Sequence, residues 1–184
     1  HLYPSTDHGD LRAAIGETWG LDPDNIICGV GSDEVLQFVT QAFAGPGDEI
    51  IHTRHGFSLY PILAHMAGAT SVVVEERDRV VDVDAILGAV TDRTRIVLLT
   101  NPGNPTGTML AEAELTRLAR SLPATVVLVI DGAYTEYAEG FDGGVALATA
   151  QGNVLMTRTF SKLYGLGGVR MGWGFGRRPL IDVV

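Results

Sequence analysis

Lys162 is the residue whose type and place along the chain point most directly to chemistry. Of the 13 basic residues it is the only lysine, and it lies after an apolar run in a loop rich in hydroxyls and glycines. A lysine in a loop is most often a solvated surface charge, but arginine carries the other basic charges of this chain. Lysine, unlike arginine, can form a Schiff base with a carbonyl compound. We therefore interpret Lys162 as a candidate amine nucleophile.

A Schiff-base lysine suggests pyridoxal phosphate, a cofactor that needs three further kinds of group. Its ring nitrogen needs a buried carboxylate, and Asp131 ends the most apolar run, although an aspartate there could equally cap a turn or a helix. Its phenolic oxygen needs hydrogen-bond donors, for which Asn104 and Tyr134 are candidates. Its phosphate needs helix N-terminal amides, hydroxyls and a cation. The candidates for the phosphate are Gly31, Ser32, Asp33, Thr159, Ser161 and Arg170.

Several other kinds of site do not match the chain. No phosphate-binding loop of the form Gly-x-x-x-x-Gly-Lys-Ser/Thr occurs, and Glu34 stands where a dinucleotide fingerprint starting at Gly29 needs its third glycine. The five histidines and one cysteine show no metal-ligand spacing. Residues 159–162 match the Ser-x-x-Lys pattern of penicillin-binding proteins only with threonine for serine, and the companion motifs are absent.

The composition of the chain restricts the kinds of partner that it can bind and the cellular compartment that it suits. The net charge of −9 argues against nucleic acid and against an anionic membrane, since both favour basic surfaces. The longest apolar run, 124–130, is far shorter than the ~20 residues that cross a bilayer. Cys28 has no second cysteine to pair with and lies in an apolar run, which predicts a buried thiol and a reducing, cytoplasmic compartment. Neither end looks natural, so we expect a piece of a longer chain.

The elements that must position these residues alternate along the chain. Short apolar runs predict strands at 25–29, 49–53, 70–75, 95–100, 125–131, 153–157 and 169–175. Amphipathic stretches predict helices at 33–44, 58–67, 83–90, 112–121 and 145–150. This alternation predicts an α/β fold of three α/β/α layers around a seven-stranded, mostly parallel sheet. Ligands of such sheets bind beyond the carboxyl ends of the strands, where the candidate residues fall.

The last strand is expected to differ from the others. Only residues 160–168 connect it to the sixth strand, which is shorter than a parallel crossover requires. We therefore expect the last strand to be antiparallel, or else not to lie next to the sixth.

Linked motifs resemble the signature of the fold-type I pyridoxal-phosphate aminotransferases. They are residues 101–107, residues 131–134, and residues 159–162 with Arg170 eight positions after the lysine. Tyr3-Pro4 followed by a helix, residues 31–34 and residues 158–170 look, within that superfamily, like the histidinol-phosphate aminotransferases. Gly132 replaces the usual glutamate and Gly103 a common asparagine, and neither missing side chain is needed for the chemistry above.

The resemblance implies a role for each candidate residue. Lys162 would form the Schiff base and later move a proton, while Asp131 would pair with the ring nitrogen. Asn104 and Tyr134 would hydrogen-bond the phenolic oxygen, and Phe57 would stack on the ring. The phosphate would be held by the main chain of Ser32 and Asp33, the side chains of Thr159, Ser161 and Arg170, and Tyr3 from the partner subunit of a homodimer.

The same resemblance implies the reaction and the extent of the domain. We expect transfer of the amino group of L-histidinol phosphate to a 2-oxo acid, 2-oxoglutarate, in histidine biosynthesis. Residues 1–184 would be the cofactor-binding large domain, inactive by itself because the N-terminal segment and the C-terminal small domain, with its substrate-binding arginines, are absent. The alternatives are an aromatic-amino-acid aminotransferase, a threonine-phosphate decarboxylase, a non-catalytic ligand sensor with an aminotransferase-like domain, and an α/β domain without cofactor.

Overall fold

The computed structural model of the protein describes residues 5–184 and contains one seven-stranded sheet. Its strands are β1 Ile26–Gly29, β2 Glu49–Thr53, β3 Thr70–Val74, β4 Thr94–Thr100, β5 Val127–Asp131, β6 Val154–Thr159 and β7 Gly172–Gly176. They are arranged in the order β1-β7-β6-β5-β4-β2-β3. β7 is antiparallel to both of its neighbours, whereas the remaining pairs are parallel. The predicted antiparallel last strand is confirmed, and it does lie beside β6.

In the part of the chain that the structure describes, seven α-helices accompany the sheet: α1 Gly9–Trp19, α2 Ser32–Phe43, α3 Leu59–Met66, α4 Val83–Ala89, α5 Glu112–Ser121, α6 Val145–Ala150 and α7 Arg178–Ile181. The five helices predicted from periodicity correspond to α2 through α6. Within residues 5–184, no helix is both long enough and apolar enough to cross a bilayer.

The start of the last strand differs from the prediction. Residues Gly167–Val169 form a short 3-10 turn, and Arg170 has a left-handed backbone with φ of 57°. The strand therefore begins at Gly172 rather than at residue 169. The apolar composition of this segment resembles that of a strand, but its backbone turns so that Arg170 reaches the cleft described below.

The sheet is buried on both faces, which creates two hydrophobic cores. One core packs α1, α4, α5 and α6 against the sheet, and the other packs α2, α3 and α7 against the opposite face. Alternate residues of β5 point to the two sides: Leu128 and Ile130 join the first core, while Val127 and Val129 join the second. A strand covered on both faces needs an unbroken apolar run, which explains the pattern that predicted it.

Candidate active site

A cleft at the carboxyl ends of the parallel strands brings most of the predicted site residues together. The predicted residues that line it are Gly31, Ser32, Asp33, Phe57, Asn104, Asp131, Thr159, Ser161, Lys162 and Arg170. Tyr134 lies beside the cleft, with its ring centroid 5.2 Å from the Nζ of Lys162. Tyr3 lies outside the described residues.

Lys162 lies three residues after the end of β6, on a tight turn. Its main-chain oxygen accepts a hydrogen bond from the amide of Gly165 at 3.0 Å, and Gly165 has a φ of +66°. The amide of Leu166 closes the same loop by donating to the main-chain oxygen of Phe160 at 3.0 Å. The loop thus presents an exposed amine at the cleft, beside the face of the Tyr134 ring.

Asp131 is the last residue of β5 and is 2% exposed. Its Oδ1 accepts hydrogen bonds from the main-chain amide of Ala133 and from the hydroxyl of Thr157, both at 3.2 Å. Its Oδ2 accepts a hydrogen bond from the phenol of Tyr60 at 3.1 Å. Burial raises the pKa of Asp131, and these three donors oppose that rise by stabilising the charged form. Asp131 does cap a turn through its contact with the amide of Ala133, as one alternative predicted. Its carboxylate also lines the cleft.

The N-terminus of α2 forms one end of the cleft. No side chain caps it, and its first residue, Ser32, is 4% exposed. Free amides at a helix N-terminus attract anions. The guanidinium of Arg170 lies nearby, with its Nη1 donating to the Oγ of Ser161 at 3.3 Å and its Nη2 3.7 Å from Asp33 Oδ2. Thr159 donates its hydroxyl to Ser161 Oγ at 3.0 Å, so hydroxyls, amides and a cation share this end.

Two glycines allow this close approach. A Cβ on Gly31, which has a φ of +80°, would lie 2.6 Å from Nη2 of Arg170. A Cβ on Gly172 would lie 2.2 Å from the amide nitrogen of Ser32. Both distances are shorter than van der Waals contact, so any side chain at these positions would push β7 or Arg170 away from α2. The missing side chains let Arg170 and β7 lie close against the first turn of α2.

Phe57 and Asn104 complete the lining. Phe57 lies just before α3, and its ring meets that of Tyr60 edge-on, with centroids 5.8 Å apart. Asn104 follows β4 and borders both the cleft and a neighbouring hollow that Tyr134 also lines. An exposed amine, a buried carboxylate and a helix N-terminus with hydroxyls and a cation beside it therefore share one cleft. This donor set fits pyridoxal phosphate.

Sequence reasoning missed the groups that hold Asp131. Thr157 lies two residues before Thr159 on β6, so strand alternation places both side chains on the same face of the sheet. Tyr60 lies three residues after Phe57, and its main-chain amide donates to the oxygen of Phe57 at 3.0 Å, so one turn of the chain joins the two residues. These spacings were the available signals. Thr100, which hydrogen-bonds Tyr60, gives no comparable signal, since its contact depends on how α3 packs against β4.

Cys28 is buried, as predicted, and 6% exposed. Burial raises the pKa of its thiol to about 11. The thiol is one of the groups that line a polar hollow near β1, which borders neither Lys162 nor Asp131. Its chemistry is separate from that of the cleft.

Comparison with known proteins agrees with this geometry. The family model for aminotransferase class I and II matches residues 1–184. The histidinol-phosphate aminotransferases of Ruegeria pomeroyi and Dinoroseobacter shibae are 72% and 60% identical to the chain over its 184 residues, which cover 51% of each relative.

A solved structure shares the fold. The crystal structure of histidinol-phosphate aminotransferase from Sinorhizobium meliloti in complex with pyridoxal-5'-phosphate superposes with a TM-score of 0.89 at 30% identity, over 94% of this chain and 48% of that one. The chain thus spans about half the length of the curated relatives that it matches. The family model covers every residue, and on that ground the chain belongs to the aminotransferase class I and II family.

Proposed function

We propose that the complete protein is a pyridoxal-phosphate-dependent histidinol-phosphate aminotransferase. It would transfer the amino group of L-histidinol phosphate to 2-oxoglutarate in histidine biosynthesis, with residues 1–184 as its cofactor-binding large domain. The observation that carries this proposal is the single cleft that holds both Lys162 and the buried carboxylate of Asp131. The names of the relatives, 72% and 60% identical to the chain, support the choice of substrate.

The cofactor, when bound, supplies an electron sink for the charge that develops at the α-carbon of the substrate. Lys162 is the residue that would hold it covalently through Nζ. The same Nζ would also take up the proton that leaves the α-carbon of the substrate and would later release it. The exposed position of Lys162 at the cleft leaves its Nζ accessible for both tasks.

Asp131 holds a proton at the ring nitrogen of the cofactor. A carboxylate can do this only if it stays ionised in a buried position, and the three donors to Asp131 favour the ionised form. Asn104 and Tyr134 would hydrogen-bond the phenolic oxygen of the cofactor, and Phe57 would stack on its ring. Because all of these groups follow strands or begin helices, the sheet fixes their relative positions.

The phosphate would be held at the N-terminus of α2. The main-chain amides of Ser32 and Asp33 and the hydroxyls of Thr159 and Ser161 would bind it there. Arg170 supplies the positive charge, and its Nη2 lies 3.7 Å from Oδ2 of Asp33.

The proposal extends to the assembly and its location. We place the enzyme in the cytoplasm as a homodimer, in which Tyr3 reaches the phosphate site of the partner subunit. The lone, buried Cys28 suits a reducing compartment. Sedimentation of the complete protein, with and without substitution of Tyr3, tests the assembly.

Borohydride reduction in the presence of pyridoxal phosphate tests the proposed cofactor site. Peptide mass mapping of the complete protein should locate a pyridoxyl group on Lys162, and the Lys162→Ala variant should lose that label. Absence of the adduct from well-folded wild-type protein would disprove the proposal. Steady-state kinetics should then give a higher kcat/KM for histidinol phosphate than for aromatic amino acids, and threonine phosphate should not be decarboxylated.

A further inference from the structure

Tyr60 places a phenol inside the protein, directly behind the cleft. The residue lies on α3 and is 0% exposed. Its hydroxyl donates a hydrogen bond to Oδ2 of Asp131 at 3.1 Å and lies 2.6 Å from the Oγ1 of Thr100. A buried hydroxyl is unfavourable unless it is hydrogen-bonded, and phenylalanine would fill the same space without that requirement. The hydroxyl of Tyr60 therefore calls for an explanation beyond packing.

The two carboxylate oxygens of Asp131 accept hydrogen bonds from different donors. Thr157 and the amide of Ala133 donate to Oδ1, whereas Tyr60 is the described donor to Oδ2. Since Tyr60 donates to Asp131, Thr100 must donate its own hydroxyl hydrogen to the oxygen of Tyr60. The result is a buried chain from Thr100 through Tyr60 to Asp131. Such chains polarise successive bonds and strengthen the last one.

We propose that Tyr60 is a positioning residue, which fixes the plane of the Asp131 carboxylate toward the cleft and keeps that carboxylate ionised. The inference rests on the proposed function, because the partner that Asp131 is to meet is the ring nitrogen of the cofactor. Tyr60 does not line the cleft: its hydroxyl acts through Asp131, while its ring packs against Phe57, a contact that phenylalanine would keep.

Electrostatics support this role. Burial raises the pKa of Asp131, and the hydrogen bond from Tyr60 is the first of the donated bonds that lower it. The negative charge of Asp33 acts in the opposite direction and raises the pKa of Asp131. The other charged groups that line the cleft are Lys162 and Arg170.

The hydroxyl of Tyr60 also keeps the proton that it donates to Asp131 at the pH values at which enzymes work. Burial, together with the neighbouring Asp131, raises the pKa of Tyr60 well above its ordinary value. Tyr60 therefore keeps its proton and remains a donor over the whole range in which an enzyme of this type operates.

The test compares the wild type with Tyr60→Phe and with Tyr137→Phe in the full-length chain. Tyr137 is 60% exposed, which makes it a matched control for the loss of a phenolic hydroxyl. In the cofactor-free protein, 13C NMR of labelled aspartate should show the titration midpoint of Asp131 about one pH unit higher in Tyr60→Phe, because a donor to a charged group has been lost. Tyr137→Phe should titrate as the wild type does.

The loaded protein provides a second readout. Tyr60→Phe should bind pyridoxal phosphate about tenfold more weakly, and the 15N resonance of the ring nitrogen should move toward that of the unprotonated ring. A residue with only a packing role would change neither quantity. Unchanged Asp131 titration and cofactor affinity in folded Tyr60→Phe would overturn the inference.

Two further experiments distinguish failure of this inference from failure of the proposed function. If Tyr60→Phe does not fold, Thr100→Val removes the donor to Tyr60 and should raise the Asp131 midpoint in the same direction, and an unchanged midpoint there would overturn the inference. If wild-type protein takes up no pyridoxyl label on Lys162, the proposed function fails. The Asp131 titration in the cofactor-free protein would still decide whether Tyr60 controls this carboxylate.

Discussion

Arg158 and Glu136 form a buried ion pair between β6 and the segment that follows β5. Nη1 of Arg158 lies 3.1 Å from Oε1 of Glu136, and the two side chains are only 8% and 9% exposed. Nη2 of Arg158 also donates to the main-chain oxygen of Asp142 at 2.7 Å. Arg158 lies on β6, whereas Glu136 follows β5. The pair therefore ties together the two strands that lead to Lys162 and Asp131.

Glu136→Gln should destabilise the fold strongly, because it removes the negative charge beside the buried Arg158 and leaves that guanidinium with neutral acceptors such as the main-chain oxygen of Asp142. Breaking a buried pair in this way costs about 3–5 kcal/mol, which corresponds to a fall in melting temperature of roughly 6–20 °C for a domain of this size. Calorimetry of the variant measures this. Glu139→Gln, on an exposed side chain, is the control and should melt as the wild type does. A loss of less than about 1 kcal/mol would contradict the role assigned to the pair.

Asp131→Asn should separate folding from function. The variant loses the charge that pairs with the ring nitrogen, so cofactor affinity should fall about 10- to 100-fold and turnover by about 100-fold or more. Because burial raises the pKa of Asp131, its ionised form costs the folded state free energy at neutral pH. The cofactor-free variant should therefore melt at the same temperature as the wild type or higher. Wild-type turnover in this variant would refute the assigned role.

Arg170→Ala should affect the phosphate of the cofactor and not its ring. Loss of a charge-assisted contact should weaken binding of pyridoxal phosphate by about 10- to 100-fold. Binding of pyridoxal, which has no phosphate, should change little. Arg177→Ala, at an exposed position just before α7, is the control and should leave both affinities unchanged. Equal losses for the two ligands would show that Arg170 acts on the shape of the site instead.

Cys28 should react slowly in the native protein. With the pKa of its thiol raised to about 11 from an ordinary 9.0, roughly one molecule in a thousand is a thiolate at pH 8, compared with about one in ten for an exposed cysteine. Alkylation by iodoacetamide should therefore be about 100-fold slower than in the urea-unfolded chain. Since the thiolate is the deprotonated form of the Cys28 thiol, the rate of alkylation of the native protein should rise about tenfold per pH unit up to pH 10. Equal rates in native and unfolded protein would contradict burial of the thiol.

Secondary structure was predictable where burial imposes a simple pattern. The predictions for α5 and α6 agree with the structure at both ends, because α5 has one apolar face and α6 lies between clear turn signals. The helix α1 was not predicted from periodicity, since its apolar residues are few and only Ile15 and Gly16 are buried. The resemblance, however, placed a helix after Tyr3-Pro4. The short α7 was not predicted, because four residues give no measurable period.

The sequence by itself determined the alternation of strands and helices, the apolar central strand that ends in Asp131, and the singular Lys162. Those features depend on local composition and periodicity, which neighbouring residues in the sequence determine. Only the tertiary structure decided that β7 lies between β1 and β6, that Gly172 admits the first turn of α2, and that Tyr60 reaches Asp131. The last contact joins residues 71 positions apart. Such contacts depend on how helices pack across a twisted sheet, and local sequence carries no record of that packing.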